Sequence, residues 1–306
     1  MSKKICMFGV SRSGKTCFLY AMAQVMNSGV KEGNTRISLI ANDSTQQSIL
    51  NDGYMEMARG YWPEGSTETR TFDFNVRVQH DDRYVEIIPS LLLHDYRGGV
   101  WQGQANDDVK ERQELLKSFA DSACIAFLVD GNTLLQAMDP MDVEPIHRNV
   151  STIDKLRSRQ QVSFVENLFM SFKRASKGKI PAIVVVITKS DIFKSEKEIK
   201  NAYQYIKNVI PSIFAQGSGI DAAITSISLG DNLVNNDMRL RGDLDISTNH
   251  NIHVPMVFSL YAYLSDIYDG CDTEEQAYID SLLPTLRKTF ADKLELYING
   301  FPAFAL

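Results

Sequence analysis

A stretch near the start of the chain, residues 9–16, has residue types and spacing suited to phosphate binding. It matches Gly-x-x-x-x-Gly-Lys-Ser/Thr, a loop whose glycines let successive backbone N–H groups point at phosphate oxygens. In that pattern Lys15 reaches the β- and γ-phosphates, and the hydroxyl of Thr16 binds Mg²⁺. An apolar run at 5–8 precedes the loop and a helix-like run at 17–23 follows it, so the strand–loop–helix context is present. We therefore predict a nucleoside-phosphate site here.

Two more short motifs each close an apolar run. Residues 95–98 read Asp-Tyr-Arg-Gly, and residues 188–191 read Thr-Lys-Ser-Asp. With the phosphate loop they form, in order, the motif set of GTPases. Over roughly residues 3–230 the chain resembles the translation-factor-related class of GTPases, which includes Ras-like proteins. It looks most like poorly characterised bacterial members, some of which are associated with conflict or defence systems.

The resemblance implies a role for each motif residue. Asp95 would hold the Mg²⁺ shell through water, and the Gly98 N–H would bond the γ-phosphate. Asp191 would accept two hydrogen bonds from guanine N1 and N2, which adenine cannot donate. The Lys189 stem would lie along the base, and the Ile227 N–H would meet guanine O6.

The predicted ligands are GTP or GDP with Mg²⁺, and the contacting residues lie in these motifs and the loops beside them. The predicted nucleotide contacts are Gly9, Ser11, Arg12, Ser13, Gly14, Lys15, Thr16, Cys17, Asp95, Gly98, Thr188, Lys189, Asp191, Ser226 and Ile227. The predicted metal ligands are Thr16, Thr67 and Asp95. The predicted catalytic residues are Lys15, Arg12 and Thr67.

The choice of Thr67 rests on the first switch of such proteins, where a threonine hydroxyl completes the Mg²⁺ coordination. Thr67, Thr69 and Thr71 all precede a strand with alternating apolar residues. We favour Thr67 because it follows the Trp62–Pro63 turn. Ordinary strand propensity explains Thr71, which lies next to the strand.

Two departures from the Ras-like pattern bear on hydrolysis. Ras-like members place a water-orienting glutamine directly after Asp-x-x-Gly, and this chain has Gly99 there. Arg12 instead resembles the arginine of the phosphate loop in the guanylate-binding-protein and atlastin group, where it serves as an internal arginine finger. The alternative is that Arg12 faces solvent or pairs with an acidic neighbour.

The elements around these motifs alternate between strand and helix. Buried strands are predicted at 3–9, 124–130 and 180–187, and helices at 15–28, 107–123, 152–177, 195–214 and 254–267. An alternating strand from residue 72 turns at 80–83 into a second strand, which is therefore antiparallel to it. The fold class is α/β: a doubly wound, mainly parallel sheet with one antiparallel edge strand, plus C-terminal helices.

The chain is predicted to fold as one GTPase domain with additions. Residues 1–230 form the domain, with long insertions at 29–65 and 131–150, and residues 231–306 form a helical extension packed on it. Part of the first insertion, about residues 44–59, could be helical. Residues 222–228 are predicted as the last strand and residues 273–299 as a final helix.

Composition excludes several other classes. The 306 residues are 44% hydrophobic, enough for a sizeable core, and the net charge of −6 argues against non-specific nucleic-acid binding. The four cysteines are far apart and indicate free thiols in a reducing compartment. No apolar run approaches membrane-spanning length, and the first strand begins too early for a signal peptide, so we expect a cytoplasmic protein.

These features predict a Mg²⁺-dependent, GTP-hydrolysing molecular switch that signals to an effector or regulator protein. A nucleotide-dependent homodimer is a further expectation, by analogy with the guanylate-binding-protein group. The alternative is a GTP-binding adaptor or scaffold with little or no intrinsic hydrolysis. Gly99 in place of glutamine favours the adaptor, and Arg12 favours the enzyme.

Overall fold

The computed structural model describes residues 3–63, 68–80, 83–96, 106–138, 151–175, 180–231, 233, 244–247 and 250–304. Its strands are β1 (Lys3–Gly9), β2 (Val30–Glu32), β3 (Thr35–Ala41), β4 (Arg70–His80), β5 (Arg83–Asp95), β6 (Ser122–Asp130), β7 (Ala182–Thr188), β8 (Asp221–Ser226), β9 (Leu294–Ile298) and β10 (Phe301–Phe304). Its helices are α1 (Lys15–Ser28), α2 (Ser44–Ala58), α3 (Asn106–Ala120), α4 (Gly131–Ala137), α5 (Thr152–Ala175), α6 (Glu196–Val209), α7 (Pro211–Phe214), α8 (Val254–Ile267) and α9 (Thr273–Phe290).

The strands form one ten-stranded sheet in the order β10-β9-β8-β7-β6-β1-β5-β4-β3-β2. Its centre, from β5 through β1, β6 and β7 to β8, is parallel. The strands β1, β6 and β7 are apolar along most of their length because helices cover both faces of the sheet there. In β1, Ile5 and Met7 face the core built by α1, α2, α8 and α9, whereas Cys6 and Phe8 face the core built by α3–α7. The predicted doubly wound α/β fold is confirmed.

The first insertion is more ordered than predicted. Its expected helix is confirmed as α2, but residues 30–41 also form a hairpin, β2 and β3, that extends the sheet beyond β4. This hairpin was missed because β2 is only three residues long and the Gly33–Asn34 turn made the segment look polar. Beyond α4, the second insertion (residues 139–150) lies outside the described residues.

The predicted final helix is wrong beyond Phe290. The chain turns at 291–293, and β9 then pairs antiparallel with β8 while β10 pairs antiparallel with β9. The sheet therefore has antiparallel strands at both edges, β8 is not the last strand, and the extension is not wholly helical. The error arose because Leu294 and Tyr297 continue the spacing of the helix while also fitting the alternation of a strand.

A buried polar cluster fastens β9 to α6. Lys207 Nζ lies 2.9 Å from Glu295 Oε2 and donates to the Tyr297 hydroxyl at 3.0 Å, and that hydroxyl donates to Glu295 Oε2 at 2.6 Å. The side chains of Glu295 and Lys207 are 7% and 20% exposed. The buried charge of Glu295 is stable because Lys207 from α6 neutralises it and the Tyr297 hydroxyl donates a hydrogen bond to it.

Replacing Glu295 with glutamine is expected to lower the free energy of unfolding by about 1–2 kcal/mol, since the amide keeps the shape but loses the charge-assisted bonds. Urea denaturation at neutral pH measures this. Glu196→Gln is the control, because that side chain is 82% exposed in its pair with Lys200 and should change stability by less than about 0.5 kcal/mol. Equal losses in the two variants would contradict the role given to the buried cluster.

Candidate nucleotide-binding site

The predicted site residues gather at one edge of the sheet. Four central parallel strands end at predicted site residues: β1 at Gly9, β5 at Asp95, β7 at Thr188 and β8 at Ser226. The fifth, β6, ends beside them at Asp130. The register brings Met7 opposite Asp95, Asp130 opposite Thr188, and Ile187 opposite Ser226. Ligands of doubly wound sheets bind at this edge, where the strands' carboxyl ends open into loops.

The phosphate loop runs from the end of β1 to the first turn of α1. The Ser13 N–H donates to the Val10 carbonyl at 3.2 Å, and Gly14 has a left-handed φ of +82°. A Cβ on Gly9 would lie 2.6 Å from both the Leu128 carbonyl oxygen and Ser13 Oγ, so only glycine fits there. The loop is therefore closed tightly against β6, with the N-terminus of α1 behind it.

Lys15 is folded back over this loop. Its ammonium donates to the Gly9 carbonyl at 3.0 Å and to the Val10 carbonyl at 3.3 Å, and the residue is only 6% exposed. Burial lowers the pKa of Lys15, and the nearby Asp95 carboxylate opposes that shift. A buried ammonium held by neutral carbonyls would gain electrostatic energy from an anion in the loop.

Asp95 and Thr16 face each other from β5 and α1. Thr16 Oγ1 donates to Asp95 Oδ2 at 3.3 Å, while Asp95 Oδ1 is buried with no partner among the described residues. Burial raises the pKa of Asp95, and the charge of Lys15 opposes this. Arg70 lies directly opposite Asp95 in the β4–β5 register and also lowers the pKa of that carboxyl. An unpartnered carboxylate oxygen beside a hydroxyl suits a hard cation such as Mg²⁺.

The Thr-Lys-Ser-Asp motif is joined directly to the phosphate loop. Thr188 Oγ1 donates to the Ser13 carbonyl at 2.8 Å, and Lys189 Nζ donates to the Arg12 carbonyl at 3.1 Å. Two residues further, Asp191 Oδ2 accepts the Leu233 N–H at 3.1 Å, and burial raises the pKa of the Asp191 carboxyl. The motif predicted to read the base therefore lies next to the loop predicted to hold the phosphates.

The end of β8 differs in one respect from the expected guanine contact. The Ile227 N–H donates to the Ile187 carbonyl at 2.8 Å and so continues the ladder between β7 and β8. A hydrogen bond from this N–H to guanine O6 would require that bond to open. Ser226 Oγ accepts the Tyr203 hydroxyl at 3.2 Å, which ties the end of β8 to α6.

The remaining phosphate-loop residues differ in exposure. Ser11 and Arg12 are exposed, and Arg12 has a left-handed φ of +68°. Ser13 Oγ is buried without a partner in the described part of the chain. Cys17 is half-buried in the first turn of α1, and burial raises the pKa of its thiol to about 12, so it is a neutral thiol.

Two predicted residues, Thr67 and Gly98, lie outside the described residues. The other two threonine candidates each have a side-chain partner. Thr69 Oγ1 donates to Glu111 at 2.5 Å, and Thr71 Oγ1 lies 2.8 Å from His94 Nδ1. The preference for Thr67 as the switch threonine stays a prediction.

Sequence reasoning missed Asp130, Tyr203 and the Leu233 N–H. Asp130 carried a usable signal, because it ends an apolar strand as Asp95 does. Tyr203 and Leu233 carried none, since only the tertiary fold brings them to the site. Over the part of the chain that is described, no helix combines the length and apolar character needed to cross a membrane.

The sheet, the phosphate loop and the adjoining base-side motif define a P-loop nucleotide-binding protein. The model of the family Double-GTPase 1 matches residues 6–214, from β1 to α7. The chain therefore belongs to the Double-GTPase 1 family. This membership confirms the prediction of a P-loop GTPase that binds guanine nucleotide.

Solved structures are only distantly similar. The bacterial selenocysteine-specific elongation factor EF-Sec is 13% identical over 87% of this chain, with a TM-score of 0.39, and the chain spans 29% of its length. The SRb-GTP/SRX complex from Chaetomium thermophilum is 13% identical over 76% of this chain and 93% of that one, with a TM-score of 0.40. The Ski7 GTPase-like domain of S. cerevisiae is 13% identical over 82% of this chain and 49% of that one, with a TM-score of 0.37. Similarity this distant carries no functional argument, and no curated protein matches.

Proposed function

We propose that this chain is a Mg²⁺-dependent enzyme that hydrolyses GTP and signals its nucleotide state to a partner protein. The observation that supports this most strongly is the joining of the two halves of the site. Thr188 bonds the phosphate loop at the Ser13 carbonyl, and Asp191 lies only three residues further along. A nucleotide held by its phosphates would thus have its base beside the partly buried Asp191 carboxylate.

The chain's own residues would act on the phosphates by position and charge. Lys15 would exchange the Gly9 and Val10 carbonyls for β- and γ-phosphate oxygens, and the loop's N–H groups would hold them in place. Thr16 and Asp95, with Thr67 as the proposed third ligand, would hold Mg²⁺, which when bound neutralises phosphate charge. Gly98 would donate its N–H to the γ-phosphate.

Base recognition would rest on Asp191, Lys189, Ser226 and Ile227. In the structure the Leu233 N–H occupies Asp191 Oδ2, and an entering guanine would offer N1–H and N2–H donors in its place. Adenine offers no donor at those positions and would leave the partly buried carboxylate of Asp191 without a partner from the base. The site would therefore prefer GTP and GDP to adenine nucleotides.

Single-turnover hydrolysis of radiolabelled GTP and ATP, with and without Mg²⁺, tests the proposal. We expect Mg²⁺-dependent release of phosphate from GTP and little from ATP. Tight GTP binding without phosphate release would show an adaptor instead, a function that Gly99 in the glutamine position favours. Equal use of ATP would contradict the role given to Asp191.

Arg12 is proposed as the internal arginine finger. Its side chain is exposed, so it is free to turn toward the β- and γ-phosphates, where an arginine stabilises transition-state charge.

Arg12→Ala is expected to leave GTP affinity unchanged and to slow hydrolysis about tenfold or more, as measured in the same single-turnover assay. The alanine keeps a Cβ at the left-handed position, so backbone strain is matched. Arg59→Ala is the control, because this arginine is 63% exposed and pairs with Glu56 at the end of α2. Unchanged turnover in Arg12→Ala would rule out the finger.

Several finer features belong to the same proposal. We infer membership of the translation-factor-related class, with a role in a bacterial conflict or defence system. The exposed Arg12 at the nucleotide face is compatible with a nucleotide-dependent homodimer like that of guanylate-binding proteins and atlastins. The four cysteines are free thiols, which supports a cytoplasmic location.

A further inference from the structure

Asp130, the last residue of β6, uses its two carboxylate oxygens for different purposes. Oδ1 accepts the Asn132 N–H at 2.8 Å and the Thr133 N–H at 3.4 Å and so caps the N-terminus of α4. Oδ2 lies 2.6 Å from Lys189 Nζ. The residue is 8% exposed, so this charge is largely removed from water and is neutralised by the ammonium.

The Lys189 ammonium is held by two partners, one on β6 and one in the phosphate loop. Besides the Asp130 carboxylate, Nζ donates to the Arg12 carbonyl in the phosphate loop at 3.1 Å. The Lys189 side chain remains 44% exposed, so without these two partners its long stem would adopt many rotamers. The Asp130 carboxylate therefore holds the Lys189 ammonium at the phosphate loop. It also holds in place the Lys189 stem, which in the proposed function lies along the base.

The same bridge joins two unfavourable backbone conformations. Arg12 has φ of +68° and Lys189 has φ of +54°, both in the left-handed region that non-glycine residues rarely adopt. Such conformations persist only where surrounding contacts enforce them. The ammonium of Lys189 connects the two, since it binds the Arg12 carbonyl while Asp130 holds it in place.

We propose that Asp130 is a positioning residue for the nucleotide, which fixes Lys189 against the phosphate loop and so sets the affinity for guanine nucleotide. This inference rests on the proposed function, because Lys189 acts on the base only if a nucleotide binds here. Asp130 itself would not touch the ligand. Its effect passes through one ion pair, and that route can be separated from its second role as the cap of α4.

Asp130→Asn separates the two roles. Asparagine caps helices as well as aspartate does, so α4 is retained, but it places a neutral amide against the ammonium of Lys189. We expect fluorescently labelled GDP to dissociate about tenfold faster and to bind correspondingly more weakly, as measured by stopped-flow fluorescence on the whole chain. Asp121→Asn is the control, because Asp121 lies at the opposite end of β6 in a 3.9 Å surface pair with Lys4.

A double-mutant cycle with Lys189→Met tests whether Asp130 acts through the lysine. We expect Asp130→Asn to cost no further affinity once Lys189 is methionine. An equal cost in both backgrounds would show a structural effect through α4 and would overturn the inference. If the asparagine variant does not fold, Asp130→Ser takes its place, since serine also caps helices but carries no charge.

The inference and the proposed function fail in different ways. Wild-type protein that binds labelled GDP, with Asp130→Asn binding equally well, overturns only the role of Asp130. Wild-type protein that binds no guanine nucleotide overturns both. Thermal melting of each variant without nucleotide checks that the fold is intact, and a faster dissociation rate at an unchanged melting temperature supports the inference.

Discussion

Replacing Asp191 with asparagine is expected to change the base preference of the site from guanine to xanthine. The asparagine carbonyl can still accept from N1–H, but its amide group donates and so opposes the guanine N2 donor. Xanthine has a carbonyl oxygen at C2, in place of the guanine amino group, and this oxygen would accept a hydrogen bond from the asparagine amide. We expect GTP affinity to fall about 100-fold or more and XTP to become the tighter ligand.

Competition against a fluorescent guanine nucleotide, with GTP, XTP and ATP as competitors, measures this change. Asp221→Asn is the matched control, because Asp221 is exposed at the start of β8, away from the strand ends that form the site. The Leu233 N–H can donate to an asparagine oxygen as it does to Asp191, so the fold around the substitution should survive. An unchanged preference for GTP in Asp191→Asn would show that this carboxylate does not read the base.

Acid is expected to destabilise the protein through His253, which directly precedes α8. The side chain is fully buried (0% exposed), and neither ring nitrogen has a partner among the described residues. Burial, with a smaller contribution from the charge of Lys293, lowers its pKa to about 4, against a usual value near 6.5. The unfolded chain therefore binds this proton first as pH falls, and stability is lost between about pH 6.5 and pH 4.

The expected loss from this one histidine is about 2 kcal/mol on going from pH 7 to pH 5. Urea denaturation at the two pH values measures the total change. In His253→Leu the difference in unfolding free energy between pH 7 and pH 5 should be about 2 kcal/mol smaller, because the variant has no group to titrate there. His80→Asn is the control, since His80 is exposed at the end of β4. An undiminished pH dependence in His253→Leu would contradict this account.

The sequence predicted the parts of the site that depend on local patterns. The phosphate loop follows from residue types over eight positions, and Asp95 and Thr188 were found because each begins a short motif at the end of a predicted strand. Parallel strands place such positions at one edge whatever the details of packing. The alternation of strands and helices along the central part of the chain was predicted from the same kind of local pattern.

The parts that were missed depend on contacts between distant segments. Asp130 forms its ion pair only because β6 and β7 are neighbours in register. β9 forms by pairing with β8, and its Glu295 is buried against Lys207 of α6, a contact that no local pattern shows. The Ile227 N–H looked available at the end of a strand, but the ladder continues one residue further and occupies it.

The position of β9 beside β8 also bears on the order of folding. Thr225 pairs with Leu294, and Asp221 with Ile298, so this ladder closes only after the long segment between them has collapsed. Contacts between residues so far apart in sequence form slowly, because the entropy of closing the loop must be overcome first. Until then β8 is an open sheet edge that another chain could pair with. We therefore expect aggregation during refolding to compete most strongly before residues 294–298 dock.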